Sequence, residues 1–195
     1  MGTLKTTNIQ TITGSGTLTL GTSGETLALG SGVTLSGGFG VTEADQWQVT
    51  SGTSVSADTN TFITSGWSRA VPTTFNYIGS GMSQSSGVFT FPSTGIYLVT
   101  FTLVVSRSGS TRYFETRIYT TTDNSSYSLV GQSTGSINQV SGGTLSTATF
   151  STFVDVTDTS NVKVKFSTIA DEAIDVTSNP NYVRTNASFI KLGNT

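Results

Sequence analysis

Hydrophobic and polar residues alternate along much of this chain, and the strongest run extends from Ile96 to Val105. A period of two residues is that of a β-strand, whose successive side chains point to opposite faces. One face of this strand carries Tyr97, Val99, Phe101, Leu103 and Val105, and the other carries Ile96, Leu98 and Val104 beside two threonines. A strand that is apolar on both faces is expected to be covered on both, either within its own chain or by a neighbouring chain.

Shorter alternating runs follow this strand. They extend over 148–156, 162–166 and 182–192, and the polar turn Thr157–Asn161 between the first two predicts a hairpin. No segment shows the period of an amphipathic helix. Residues 44–195 therefore predict an all-β domain of about eight to ten strands, for which a sandwich, a jelly roll and a barrel all remain open.

The first 43 residues follow a different pattern, a repeat of eight residues that reads TLTLGTSG, ETLALGSG and VTLSGGFG from Thr17 onward. Each unit predicts a short strand and a glycine turn. The residues expected to pack are Leu18, Leu20, Leu27, Leu29 and Leu35. So few short units become stable by stacking on other copies of themselves. We therefore predict a glycine-rich β-repeat stalk over residues 1–43, against the alternative of a flexible linker.

The amino-acid composition narrows the range of possible functions. Only 10% of the 195 residues are charged and the net charge is −2, which argues against a nucleic-acid-binding protein. The chain has no His and no Cys, so the commonest general base and the thiolate nucleophile are both missing, and we expect neither an enzyme nor a cofactor. The N-terminus lacks the apolar segment of a signal peptide, and no apolar run is long enough to insert into a membrane.

Two groups of charged residues are candidate sites. Asp171, Glu172 and Asp175 offer carboxylate oxygens of the kind that bind calcium, although we favour an acidic loop that keeps the domain soluble and predict no metal. The arginines that lie close together along the chain are Arg107, Arg112 and Arg117. They predict either an anion- or sugar-binding patch or ordinary surface ion pairs. Trp47 and Trp67 flank the start of the domain, where we expect packing.

One segment resembles a known family. The run GVFTFPSTGIY over 87–97 is similar to the strand, proline turn and aromatic strand of the tumour necrosis factor and complement globular-head superfamily. Phe75–Tyr77 and Ala187–Gly193 resemble its first and last strands. The resemblance implies a ten-stranded jelly-roll head that forms a tight homotrimer. Combined with the two-faced strand, it leads us to expect Tyr97, Val99 and Phe101 at the trimer interface.

The octads are also similar to segments of fibre-like proteins of marine bacteriophages. We therefore interpret the chain as a virion structural protein, assembled in the host cytoplasm: a short trimeric fibre or capsid decoration. In this interpretation the stalk attaches to other virion proteins, and the head is displayed toward host-surface carbohydrate or protein. The alternatives are a receptor-binding tail-fibre tip and a secreted or cell-surface bacterial binding module of the complement type, because one fold serves many functions.

Overall fold

The structure, a computed structural model, describes residues 40–69, 76–138 and 142–195. These residues form thirteen β-strands in two antiparallel sheets. The strands are β1 (Ala44–Val49), β2 (Thr53–Val55), β3 (Thr61–Phe62), β4 (Trp67–Arg69), β5 (Ser83–Ser85), β6 (Val88–Thr90), β7 (Gly95–Ser108), β8 (Thr111–Thr121), β9 (Ser128–Ile137), β10 (Gly143–Val156), β11 (Lys163–Ala170), β12 (Ile174–Val176) and β13 (Asn186–Gly193). The described residues contain no helix that is long and apolar enough to cross a membrane.

The seven-stranded sheet, here called sheet A, is built around β7. The edge strand β10 pairs with the full length of β7 on one side. On the other side β13 pairs with the first part of β7 and β12 with its end. β1 and β4 continue the sheet beyond β13, and β2 continues it beyond β12.

The six-stranded sheet, here called sheet B, has the order β5, β6, β11, β8 and β9, and β3 also pairs with β11. The β5–β6 hairpin turns through Ser86 and Gly87, both with positive φ. This is the geometry of two-residue hairpin loops that suit the strand twist. A β-carbon on Gly87 would also lie 2.3 Å from the carbonyl oxygen of Ile63, so the turn packs directly against the backbone of the Ile63–Thr64 segment.

The two sheets enclose an aromatic core. Phe101 of sheet A and Phe166 of sheet B have ring centroids 4.7 Å apart, and both side chains are fully buried. Trp47 and Trp67 each pack edge-on against Phe89, at 5.6 and 5.1 Å. The tryptophans therefore serve packing, as the sequence led us to expect, and the two sheets form a sandwich.

Buried polar contacts hold the first strand in place. Asp45 is 3% exposed, and its carboxylate accepts hydrogen bonds from Arg69, from the Trp47 indole at 3.0 Å and from the Met82 N–H at 2.8 Å. Arg69 also lies over the Trp47 and Tyr77 rings. A buried carboxylate costs little when it is paired and fully hydrogen-bonded, so this cluster fixes β1 against β4 and the segment before β5.

Two details of the strand predictions are wrong. The Thr157–Asn161 turn does not close a hairpin, because β10 pairs with β7 in sheet A and β11 pairs with β8, β6 and β3 in sheet B. The turn crosses from one sheet to the other, and turn residues alone do not distinguish the two connections. The closing strand begins at Asn186 and not at Tyr182, since the Asn179 side chain accepts the N–H groups of Asn181 and Tyr182 in a local turn.

The described residues belong to one unit of the chain, Gly38–Thr195. Glu43 is bonded into this unit. Its side chain accepts the N–H groups of Ser80 and Gly81 at 2.9 and 3.2 Å, and its carbonyl oxygen accepts the Lys191 N–H at 2.9 Å. A head that began at residue 44 would lack these three hydrogen bonds. The predicted packing leucines of the stalk, Leu18, Leu20, Leu27, Leu29 and Leu35, lie outside the described residues.

Candidate functional site

The residues predicted to form the trimer interface lie in the interior of the sandwich. Tyr97, Val99 and Phe101 are exposed by 1%, 0% and 0%, and they face sheet B within the same chain. The Tyr97 hydroxyl donates to the Ser93 carbonyl oxygen at 3.1 Å, and burial raises its pKa. The interface prediction for these three residues is therefore wrong, because the chain's own second sheet already covers that face of β7.

Among the described residues, no second sheet covers the opposite face of sheet A, and an apolar row crosses this face. Directly paired residues of antiparallel strands point to the same side. Leu98 of β7 pairs with Phe153 of β10 on one side and with Ile190 of β13 on the other. Ile190 pairs in turn with Ala44 of β1. Ile78 extends the row through a bridge to Ala44. Phe153 is 68% exposed and Ile78 45% exposed, so this row presents apolar surface to its surroundings.

Hydroxyl and amide side chains fill the adjoining rows. Thr100 and Ser151 are hydrogen-bonded at 2.8 Å, and Thr102 and Thr149 at 3.0 Å. Asp155 pairs with Ile96 near one end of β7, and Asp175 pairs with Ser106 near the other. The rows of paired residues that cross the face between these two positions hold no charged residue. We call this uncharged outer surface of sheet A the A face. Its lack of charge suits contact with another protein surface better than retention of a small ionic ligand.

A shallow cavity of about 320 Å³ lies on the A face. It is lined by Ala44, Asp45, Gln46, Ser188, Phe189 and Ile190, from β1 and β13. Phe153 lies on β10, at the far side of the same face, with β7 between β10 and β13. The face therefore carries an exposed aromatic side chain on one side and an apolar depression on the other.

The three acidic candidates do not form a common site. Asp171 accepts hydrogen bonds from the Thr111 hydroxyl and from Arg112, with Arg112 Nε 2.7 Å from its Oδ2. Glu172 pairs with Arg107 at 3.0 Å, and Asp175 accepts the Ser54 hydroxyl at 2.6 Å. No group of three or more acidic, His or Cys side chains in the described part of the chain is placed to hold a metal ion.

The three arginines likewise serve separate ion pairs. Arg107 donates to Glu172 and to the carbonyl oxygens of Ser110 and Ala173, where it ties the end of β7 to the segment before β12. Arg112 pairs with Asp171, and Arg117 pairs with Glu115 at 2.7 Å. The structure thus assigns them to surface ion pairs, the second of the two readings that the sequence left open.

Comparisons with known proteins identify the fold. No family model and no curated protein matches the chain. The structure of murine APRIL aligns with 77% of this chain and 98% of its own, at 12% identity and a TM-score of 0.55. The Eiger TNF structure from S. frugiperda aligns with 78% of this chain and 93% of its own, at 14% identity and a TM-score of 0.52. The head is a TNF-like jelly roll.

Identities this low establish the fold of the TNF-like head and no function. The structure of PRD1 vertex protein P5 aligns with 79% of this chain and 99% of its own, at 20% identity. Its TM-score is 0.46, so that alignment adds nothing to the fold assignment.

Two apolar residues of the A face, Phe153 and Ile190, are missing from the candidate residues that the sequence suggests. Phe153 was overlooked because it falls on the phase of β10 opposite to the more regular set Ala148, Phe150 and Val154. Ile190 lies within the predicted closing strand, where nothing in the sequence distinguishes it from its neighbours. The apolar row becomes visible only when the alternation of each strand is compared with that of its paired strand. Strand pairing is not given by the sequence alone.

Proposed function

We propose that this chain is a non-enzymatic structural protein of a bacteriophage particle, a short homotrimeric fibre or capsid decoration whose TNF-like head assembles through the A face. The observation that carries the trimer is the apolar row on an otherwise uncharged sheet face that no other described strand covers. Phe153 alone is 68% exposed. An exposed apolar surface of this kind, bordered by polar residues, is typical of a protein–protein contact.

The arrangement of the A face favours a closed ring of identical chains. Phe153 and the cavity beside Ile190 lie on opposite sides of the face. A chain that seats its Phe153 in the cavity of the next chain makes a head-to-tail contact, and such contacts are satisfied for every copy when the ring closes. Covering the exposed part of Phe153 contributes about 1–2 kcal/mol per chain.

The virion assignment is supported by the sequence. Three glycine-punctuated octads precede the head, and repetitive segments of this kind suit an intertwined shaft. The stalk carries only Lys5 and Glu25 as charges before Glu43, which suits attachment more than discrimination between ligands. The head, with its varied polar loops, is then the outward end, since loops on a rigid scaffold are where recognition usually resides.

Light scattering of the full chain tests the trimer. At micromolar concentration we expect about three times the chain mass of 20.3 kDa. Phe153→Ser is expected to shift the mass toward that of one chain, because each contact loses its largest apolar group. Leu129→Ser is the matched control, since Leu129 is 42% exposed but belongs to sheet B. A wild-type monomer, or a Phe153→Ser variant that stays trimeric at high dilution, would refute assembly through the A face.

A density map of the assembled particle tests the attachment. Residues of the stalk should contact other particle proteins, and the loop 178–184 of the head should meet solvent. A map with the head buried against the shell and the stalk projecting outward would contradict the proposed polarity.

A further inference from the structure

The outer face of sheet B carries a lysine held between two aromatic rings. Lys165 Nζ lies 4.0 Å from the ring centroid of Phe62 and 4.0 Å from that of Tyr127. None of the four ion pairs among the described residues includes Lys165. Aromatic faces attract and position an ammonium group, but they do not neutralise its charge. Partial burial of the side chain lowers its pKa, as expected for a cation that has lost water without gaining an anion.

Neutral hydrogen-bonding groups adjoin this lysine. Tyr119 pairs directly with Lys165 across β8 and β11, and its ring packs 5.0 Å from that of Phe62. The Tyr119 hydroxyl accepts a hydrogen bond from Asn60 Nδ2 at 3.3 Å, so its own proton remains to be donated. Asn60 is fixed in turn, because its Oδ1 accepts the Ser167 hydroxyl at 2.8 Å.

The other charges near this cluster already have partners. Arg117 pairs with Glu115 at 2.7 Å, and Lys163, on the same side of β11, donates to the Thr159 carbonyl oxygen at 2.6 Å. Asp123 lies in the turn before Tyr127. The N–H groups of Ser126 and Ser125 and the Thr121 hydroxyl bond its carboxylate and hold its pKa well below the usual range. Lys165 is thus the cation of this surface with neither an ion pair nor a carbonyl partner among the described residues.

We propose that the surface formed by Asn60, Phe62, Tyr119, Tyr127 and Lys165, here called the Lys165 surface, binds an acidic saccharide. The sugar carboxylate pairs with Lys165 Nζ, and sugar hydroxyls bond to Tyr119 and Asn60. A single available cation flanked by aromatic faces and neutral donors matches one carboxylate on a hydroxyl-rich ring. An acidic peptide would instead call for several cations spaced along the surface.

This inference rests on the proposed function in one respect: assembly through sheet A leaves the outer face of sheet B exposed. The two ideas fail separately. The trimer is tested by the mass of the particle in solution. The saccharide site is tested by binding to variants whose mass in solution is the same as that of the wild type.

Calorimetric titration of the full chain tests the Lys165 surface. The probes are a hexamer of galacturonic acid, a trimer of α2,8-linked N-acetylneuraminic acid and the methyl ester of the galacturonate hexamer, which keeps the sugar and removes the charge. We expect at least one acidic probe to bind and the ester to bind at least about tenfold more weakly, as for loss of a charge-assisted hydrogen bond. Binding should weaken as sodium chloride is raised.

Two variants localise the binding. Lys165→Gln should weaken it at least about tenfold, and Lys191→Gln, which removes the same charge from a lysine bonded to Ser93, should leave it unchanged. Tyr119→Phe keeps the ring, removes the hydroxyl and is also expected to weaken binding. It serves as the test if Lys165→Gln does not fold. Failure of both acidic probes to bind, equal affinity for the ester, or equal affinity of Lys165→Gln would overturn the proposal. Tighter binding of a polyglutamate peptide would replace the saccharide by an acidic protein segment.

Discussion

Two glycines in the edge strand β9 allow aromatic rings to pack directly on the backbone, and replacing them by alanine gives a sharp test of the sandwich. A β-carbon at Gly135 would lie 2.4 Å from the Cζ of Phe114, and one at Gly131 would lie 2.2 Å from the Cζ of Phe150. Ordinary contacts begin near 3.4 Å. Each substitution therefore forces a ring or the strand to move by about 1 Å, which a close-packed interior resists.

The two positions should differ in cost. Phe114 is fully buried, so its ring has no free space and Gly135→Ala should lower the free energy of unfolding by about 2–3 kcal/mol. Phe150 is only partly buried at the edge strand β10, so its ring can shift outward and Gly131→Ala should cost about 1 kcal/mol. Neither glycine has a positive φ, so backbone strain does not enter. Without the clash, alanine in a strand would stabilise by about 0.5–1 kcal/mol, so even the sign is informative.

Denaturant unfolding at one fixed protein concentration measures these costs, because the proposed assembly would make the apparent stability depend on concentration. Leucine lacks the outer ring atoms of phenylalanine, so Phe114→Leu should partly rescue Gly135→Ala. We expect the double variant to be more stable than the sum of the two single changes predicts, by about 1 kcal/mol. Strictly additive effects, or a Gly135→Ala variant more stable than wild type, would refute the proposed packing of β9 against the core.

Two further predictions concern the core and the acid stability of the head. Phe101→Ala should lower the free energy of unfolding, measured in denaturant, by about 3–5 kcal/mol, because it leaves a cavity between the sheets. A change of chain association with unchanged stability would restore the interface role first expected for Phe101. Burial opposes ionisation of Asp171, but hydrogen bonds from Thr111, Arg112 and the Tyr113 N–H outweigh it and lower its pKa to about 2. Its contribution to stability is present above pH of about 4 and is lost as the pH falls toward 2, so Asp171→Asn should flatten the decline of Tm with acidification in this range.

The sequence predicted what depends on local alternation and on punctuation by Gly and Pro. The strand from Gly95 onward, the break at Pro92 before it and the all-β class all follow from spacing within a few residues. Gly95 has a φ of +141°, and a β-carbon there would lie 2.4 Å from the Gly193 carbonyl oxygen, so a glycine is required at this strand start.

What the sequence could not supply was the pairing between distant segments. Gly131 and Gly135 were indistinguishable from the turn-forming glycines elsewhere, because the rings that need their space come from β8 and β10. Asp171, Glu172 and Asp175 are neighbours along the chain, yet each turns to a different partner on a different strand. Clusters in sequence become clusters in space only when the backbone turns them to the same side.

The two faces of β7 differ in what covers them, and the sequence of β7 alone does not show this difference. Both faces carry apolar residues, and the larger side chains, Tyr97 and Phe101, gave the stronger signal for a contact of high energy. A jelly roll must first fill its own interior, and it fills it with the largest and most regular apolar set. The apolar residues left on the outer face are then the smaller set on the other phase, Leu98 among threonines, continued by Phe153 of the paired strand. In a two-sheet head, a symmetric interface should therefore be sought on the second-best apolar face of the central strand.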